Sequence, residues 1–205
     1  MPKRGYHHGN LRAALVEAAL DLIAERGPAG FSMAEAAKAA DVSAAAPYRH
    51  FDNREALLIE VAVQGYAIFC DLMDYAWDEG RPSPMAAFSA MGRAYLVFAE
   101  RHPGHYMAMF EAGLSVNATP ELAAAAERAN GVLTRAAAAL ARDIPPERRP
   151  PAAMFSAHIW AMSHGIVALF ARGGPGARSP LPAEALLESG IGVYLRGLGL
   201  IPPDC

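Results

Sequence analysis

An all-α fold is what this 205-residue sequence predicts, and three observations predict it. Hydrophobic residues make up 53% of the chain and aromatics only 8%. The apolar share is mostly Ala, Leu and Met, which favour helices over a β-sandwich. Apolar residues also recur at three- and four-residue spacing, the period of a helix with one buried face. Finally, Ser, Thr, Asn and Pro precede those stretches while Gly or Pro follows, as helix starts and stops require. The expected architecture is a small N-terminal domain of three helices over residues 1–62 and a larger helical domain over residues 63–205, about nine helices in all.

Asn10 is suited to cap a first helix in which Leu11, Leu15, Ala18 and Leu22 share one face, and Gly27 stops it. Phe31 then precedes Ser32-Met33-Ala34-Glu35, a capping box whose serine and glutamate satisfy each other's free backbone amides, and Ala36, Ala37 and Ala40 continue that short helix. Asp41-Val42-Ser43 makes a tight turn, with Ser43 placed to cap a third short helix running through Tyr48 to Phe51. Asp52-Asn53 starts a long helix with Leu58, Val61, Gly65, Ile68 and Leu72 on one face, ending near Glu79-Gly80. Beyond Arg81-Pro82-Ser83-Pro84, Phe88, Met91, Tyr95 and Phe98 line the next stripe, which stops by His102-Pro103. A brief helix from His105 to Gly113 follows, and Thr119-Pro120 opens an Ala-rich one carrying Leu122, Ala126, Ala129, Leu133 and Leu140. The last two helices centre on Met154 to Phe170 and on Pro182 to Leu198, with a Gly/Pro-rich loop between them.

Net charge is −3, so no global electrostatic field favours nucleic acid. Residues 1–60 hold seven Lys/Arg against eight Asp/Glu, and only placement can help: Lys3, Arg4 and Arg12, with His7 and His8, make an acid-free start, while Arg49 and Arg54 flank the third helix. His7 and His8 fit either a DNA-contacting arm or a plain tail. Cys70 and Cys205 form no disulfide or thiolate-metal pattern, which points to a reducing, cytoplasmic setting. The longest apolar stretch, around Ile159 to Ala171, is short and broken by His164, so no membrane partner is expected.

Three short helices with a sharp turn between the second and third are what a helix-turn-helix requires, because the third must protrude into the major groove. The residues themselves are more telling: Phe31-Ser32-Met33, Ala36-Ala37, Ala40-Asp41-Val42-Ser43, Tyr48-Arg49-His50-Phe51 and Arg54-Glu55-Ala56-Leu57-Leu58. Over residues 7 to 62 this arrangement closely resembles the DNA-binding domain of TetR-type transcriptional regulators. Tyr6-His7-His8-Gly9-Asn10-Leu11-Arg12 and Trp160-Ala-Met-Ser-His164-Gly165 further resemble the TetR branch whose C-terminal domain is named for a Trp-His-Gly motif. The chain departs from the family pattern at Asp41, where a glycine is frequent, and at Pro47, which removes an early helical hydrogen bond.

The resemblance implies a homodimer that binds a double-stranded DNA operator and answers to a small-molecule effector, most simply a repressor released by ligand. Ser43, Ala44, Ala45 and Ala46 would face base edges, while Tyr48, His50 and Arg54 would meet phosphates and Ser32 would add another. With three alanines at its start, the reading helix is left with thymine-methyl contacts, Arg49 and DNA shape as its sources of preference. Plainer readings stand beside these: Tyr48 as a core aromatic like Phe51, and Arg54 as ordinary helix-start surface.

In the larger domain, Met73, Trp77, Phe98, His102, Tyr106, Phe110, His158 and Met162 suit a mainly apolar effector cavity, although simple core packing explains such a mixture as well. His102 and His105 lie three apart, but no convincing metal-ligand set accompanies them, and no cofactor is expected. Trp160, His164, Val167, Tyr194 and Leu198 fall on the last two helices, which in TetR-like proteins build the dimer interface; intramolecular packing is the alternative. The rival classes are an all-α enzyme using His102, His105 or His158, for which no nucleophile or cofactor motif is present, and a helical module that binds another protein.

Overall fold

A computed structural model describes residues 11–171 and 181–202. Among them there are eight α-helices and no strand: α1 (Leu11–Arg26), α2 (Met33–Ala39), α3 (Arg54–Trp77), α4 (Pro84–Arg101), α5 (Pro103–Phe110), α6 (Pro120–Ala141), α7 (Ala152–Ile166) and α8 (Ala183–Gly197). The all-α expectation holds. Lys3, Arg4, His7, His8, Asn10 and Cys205 lie outside the described residues.

Local chemistry sets most boundaries. At the end of α1, Gly27 adopts a left-handed φ of 79° and its amide closes on the Ile23 carbonyl at 2.8 Å, a C-terminal stop that costs glycine little. The Ser32–Glu35 capping box forms in full at the start of α2. Asn53 Oδ1 accepts the Ala56 amide at 2.9 Å and Thr119 Oγ1 accepts that of Leu122 at 3.2 Å, so the caps expected for α3 and α6 form as well. Ser83 does the same for Ala86 at 3.2 Å, directly before Pro84 at the first position of α4. The last turn after α7, Val167–Ala171, widens into a π-helix.

The chain divides into two units. The first comprises residues up to Tyr66 together with His102–Ala125, so α5 packs with the N-terminal helices across a long sequence gap. Its core is built from Leu15, Ala19 and Ile23 of α1, Ala36 and Ala37 of α2, Phe51, Leu57 and Val61, and Tyr106 and Ala108 of α5. Fully burying side chains the size of Leu or Phe stabilises such a core by about 1.5–3 kcal/mol each. The second unit comprises Ala67–Arg101 and the chain from Ala126 onward. There the α4 stripe Phe88, Met91, Tyr95 and Phe98 is buried with Leu140, Phe155, Ile159 and Leu187, and Phe69 meets Tyr95 and Phe98 edge to face.

Two helical stretches, Arg54–Gly80 and Ala152–Phe170, are as long and apolar as a membrane span by length and composition, more than runs of consecutive apolar residues suggest. Core helices of water-soluble helical proteins pass the same test.

Candidate nucleic-acid interface

The segment after α2 turns back sharply because Asp41 takes a left-handed φ of 56°, a conformation that Asp tolerates at some cost. From Ser43 onward the chain winds more tightly than an α-helix. The Ala46 amide donates to Ser43 O at 2.9 Å, Arg49 to Ala46 O at 3.2 Å and His50 to Pro47 O at 2.9 Å, all three-residue bonds. The expected third α-helix is therefore a run of turns ending in a 3₁₀ helix over Pro47–Arg49. Pro47 supplies the reason. It has no amide proton to offer Ser43 O, so the four-residue bond that would start an α-helix is missing and the carbonyl takes the nearer Ala46 instead.

Two buried residues pin this segment to the core, Pro47 and Phe51, and what lies around them faces water. Ser43, Ala44, Ala45, Arg49 and His50 are exposed, Ala46 is half-buried, and Tyr48 is 57% exposed. Phe51 is thus a core residue and Tyr48 is not, which removes the plainer reading of Tyr48 as a core aromatic.

At the start of α3, Arg54 is half-buried with its guanidinium 4.9 Å above the Phe31 ring, a cation–π distance. Its Nε is buried without a hydrogen-bond partner. Since Phe31 directly precedes Ser32, this stacking brings Arg54 beside the start of α2. Neither the sequence pattern nor the reading of Arg54 as free surface anticipated that contact.

Ser32 itself is tied up. Its amide and hydroxyl both donate to Glu35 Oε2, at 2.9 and 2.8 Å, and Arg26 Nη1 donates to Glu35 Oε1 at 3.1 Å. The serine hydrogen bonds, and then the Arg26 charge, hold the Glu35 carboxyl below its ordinary pKa. Arg12 is also committed: it grips Glu60 with two hydrogen bonds, at 3.0 and 2.7 Å, and stacks over Phe51 at 5.4 Å. The basic edge read from the sequence is correspondingly thinner, because Arg12 is neutralised by a carboxylate 48 residues away.

The residues expected around an effector fall in both units: His102, Tyr106 and Phe110 in the first, Met73, Trp77, Phe98, His158 and Met162 in the second. Met73, Trp77, Phe98 and Tyr106 are buried, His102, Phe110 and Met162 half-buried, and His158 exposed with Nδ1 3.0 Å from the Tyr194 hydroxyl. In the second unit an open groove of about 270 Å³ lies between α4 and α8 over Phe88, Gly92, Leu187 and Leu195, and none of those eight residues lines it. His105, beside His102 on α5, was not among them, yet its Nε2 is buried without a partner and burial, aided by His102, pushes its pKa down to about 4.

Along α7, α8 and the residues just after each, Trp160 is 47% exposed, Val167 is buried, and His164, Tyr194 and Leu198 are half-buried. His164 Nδ1 lies 3.1 Å from the Tyr95 hydroxyl, and burial lowers its pKa. From Ala152 to Ala171 there is no charged side chain, and Met154, Trp160 and Leu169 face outward.

The profile of bacterial regulatory proteins of the tetR family matches residues 15–61, and that of the tetracyclin repressor-like C-terminal domain matches residues 88–194. No curated protein matches the chain. Among solved structures, a protein of unknown function from Rhodococcus sp. RHA1 is 29% identical with a TM-score of 0.78, over 96% of this chain and 99% of the other. The TetR family transcriptional regulator PfmR from Thermus thermophilus gives 22% identity and a TM-score of 0.69, covering 90% and 98% of the two chains. The fatty acid degradation regulator FadR from Bacillus halodurans gives 15% and 0.72, covering 99% and 100%; at these last two identities the likeness is one of fold.

Proposed function

The chain belongs to the TetR family of bacterial transcriptional regulators and carries its helix-turn-helix DNA-binding domain, and from that premise we propose that it works as a homodimeric repressor released from its operator by a small molecule. The observation that carries the DNA half is the segment Ser43–His50, mostly exposed and anchored by buried Pro47 within it and buried Phe51 just after it. Such a segment presents side chains to a groove while its anchors keep it from moving. In this reading Tyr48 and His50 take phosphate oxygens, and Arg54 offers its outer guanidinium nitrogens to another. Ser43, Ala44, Ala45, Ala46 and Arg49 face base edges. Ser32 contributes through the helix end rather than its hydroxyl, which Glu35 already holds.

Dimerisation through α7 and α8 is supported by the uncharged surface of α7, where Met154 and Trp160 face outward. It is also supported by Gly165, Gly190 and Gly197, where an added β-carbon would meet nothing within 4 Å in the single chain. Glycine inside a helix costs about 0.5–1 kcal/mol relative to alanine, and a second copy approaching closely gives these positions a use. Trp160, His164, Val167, Tyr194 and Leu198 would then lie in or beside the interface. For effector binding the candidates are the aromatic, Met and His side chains expected from the sequence: Met73, Trp77, Phe98, His158 and Met162 in the second unit, and His102, Tyr106 and Phe110 in the first. An effector acts by binding better to the arrangement of the paired helix-turn-helix units that does not fit the operator.

The test is electrophoretic mobility of the full chain with duplex DNA from upstream of its own gene, repeated at raised salt with competitor. Retarded DNA that survives competitor and weakens steeply with salt is expected, and Tyr48→Ala should abolish it. Indifference to Tyr48→Ala would sink the DNA assignment. Sedimentation at micromolar concentration should give a dimer, and a broad metabolite panel should contain at least one compound that releases the DNA.

A further inference from the structure

We infer that Arg49 reads a guanine in each operator half-site and is the main specificity-determining side chain of this regulator, an assignment that rests on the DNA-binding reading above. Bases in the major groove are told apart by hydrogen-bond donors and acceptors, and by the thymine methyl. Along the exposed segment Ala44, Ala45 and Ala46 offer none of the former. Their methyl groups let the duplex come close without discriminating strongly among base pairs.

The tight winding decides which side chain fills that gap. In a chain of three-residue bonds, side chains three apart eclipse one another. The bonds Ala46 N–Ser43 O and Arg49 N–Ala46 O therefore place Ser43, Ala46 and Arg49 in one row. In the neighbouring row Ala44 and His50 are exposed on either side of Pro47, whose ring is buried. An α-helical course would have broken the Ser43–Ala46–Arg49 row, so Pro47 sets the placement of Arg49 as well as the pitch. Within the row the middle residue, Ala46, presents only a methyl group.

Arg49 is also unspent. Arg12 and Arg26 are bound to carboxylates and Arg54 rests on Phe31. Arg49 is exposed and makes no ion pair among the described residues. A guanidinium is planar and offers two parallel N–H donors, which match the O6 and N7 acceptors on the major-groove edge of guanine and no other single base. Tyr48 and His50 lack that fork, and Ser43 offers one hydroxyl that suits several bases.

Selection from a randomised duplex pool with the full-length wild-type chain, Arg49→Ala and Arg49→Lys tests the assignment. Wild-type sites should hold one invariant G·C pair per half-site, and its replacement should weaken binding about 10- to 100-fold. Arg49→Ala should select the same site with that position randomised, and Arg49→Lys should keep only a weakened preference. Replacing that guanine by 7-deazaguanine, which deletes N7 alone, should weaken the wild-type chain and leave Arg49→Ala unaffected. This measurement on the unaltered protein keeps the test alive if a variant misfolds. An unchanged guanine preference in Arg49→Ala, a uniform loss across all sequences, or wild-type indifference to 7-deazaguanine overturns it. A wild-type chain that selects no sequence at all overturns the DNA-binding reading itself and this assignment with it.

Discussion

Gly104 lies so close to Leu20 that a β-carbon at Gly104 would stand 2.8 Å from the Leu20 carbonyl oxygen and 3.3 Å from its Cα. Backbone cannot swing aside as a side-chain tip can, so α5 and α1 meet here only because position 104 has no side chain. Gly104→Ala should therefore destabilise the first unit by about 1–3 kcal/mol, the usual cost of overpacking. Urea unfolding followed by circular dichroism measures it; an unchanged midpoint would show that the two helices part without penalty.

Gly165 predicts the opposite sign. An added β-carbon meets nothing in the single chain, so Gly165→Ala should stabilise an isolated chain by about 0.5–1 kcal/mol through helix propensity. Self-association should weaken at least tenfold if a second copy packs there. Sedimentation equilibrium and thermal unfolding on the same variant separate the two effects, and a dimer constant equal to wild type would move the interface elsewhere.

His105 makes stability depend on acidity. Its side chain is 8% exposed and its folded pKa, about 4, lies below the ordinary 6.5 because burial and then His102 disfavour the charged ring. Above pH 6.5 the ring is neutral whether the chain is folded or not, and it adds no slope. As pH falls from 6.5 toward 4 only the unfolded chain takes the proton, so stability drops by no more than about 1.4 kcal/mol per pH unit. His105→Met should flatten that part of the stability curve. Parallel curves for variant and wild type would remove His105 from the account.

Glu35 sets a carboxylate beside the start of α2, near the proposed phosphate contacts. Glu35→Gln keeps an oxygen to accept from Ser32 while removing the charge. DNA affinity at low salt should rise several-fold, with the gain shrinking as salt screens it. A gain insensitive to salt would mean that geometry, not charge, had changed.

How much of this was legible in the sequence follows the range of the forces involved. Gly27, the Ser32–Glu35 box, Thr119-Pro120 and the α4 stripe are written in residues three or four apart, and each appears where expected. The turn at Asp41 was legible for the same reason. Pro47 was visible as an irregularity, but not the tighter winding it imposes on Ser43–Arg49, since that depends on whether Ala46 N or a later amide reaches Ser43 O. What escaped entirely were pairings across long gaps: Arg12 with Glu60, Arg54 with Phe31, and Gly104 with Leu20. Periodicity says that a face is buried, but not against what. The orphaned Nε2 of His105 is likewise visible only once α3 and α5 are packed together.

Trp77 is 8% exposed and Trp160 is 47% exposed, and these are the only two indoles in the chain. One should emit toward the blue and resist a water-borne quencher, while the other should emit toward the red and be quenched readily. The Trp160 ring also lies 5.8 Å from that of His164, near enough for a protonated imidazole to drain its emission. The molecule thus carries two native lamps of different colour, and whatever covers α7 should shift the red one while leaving the blue one as it was.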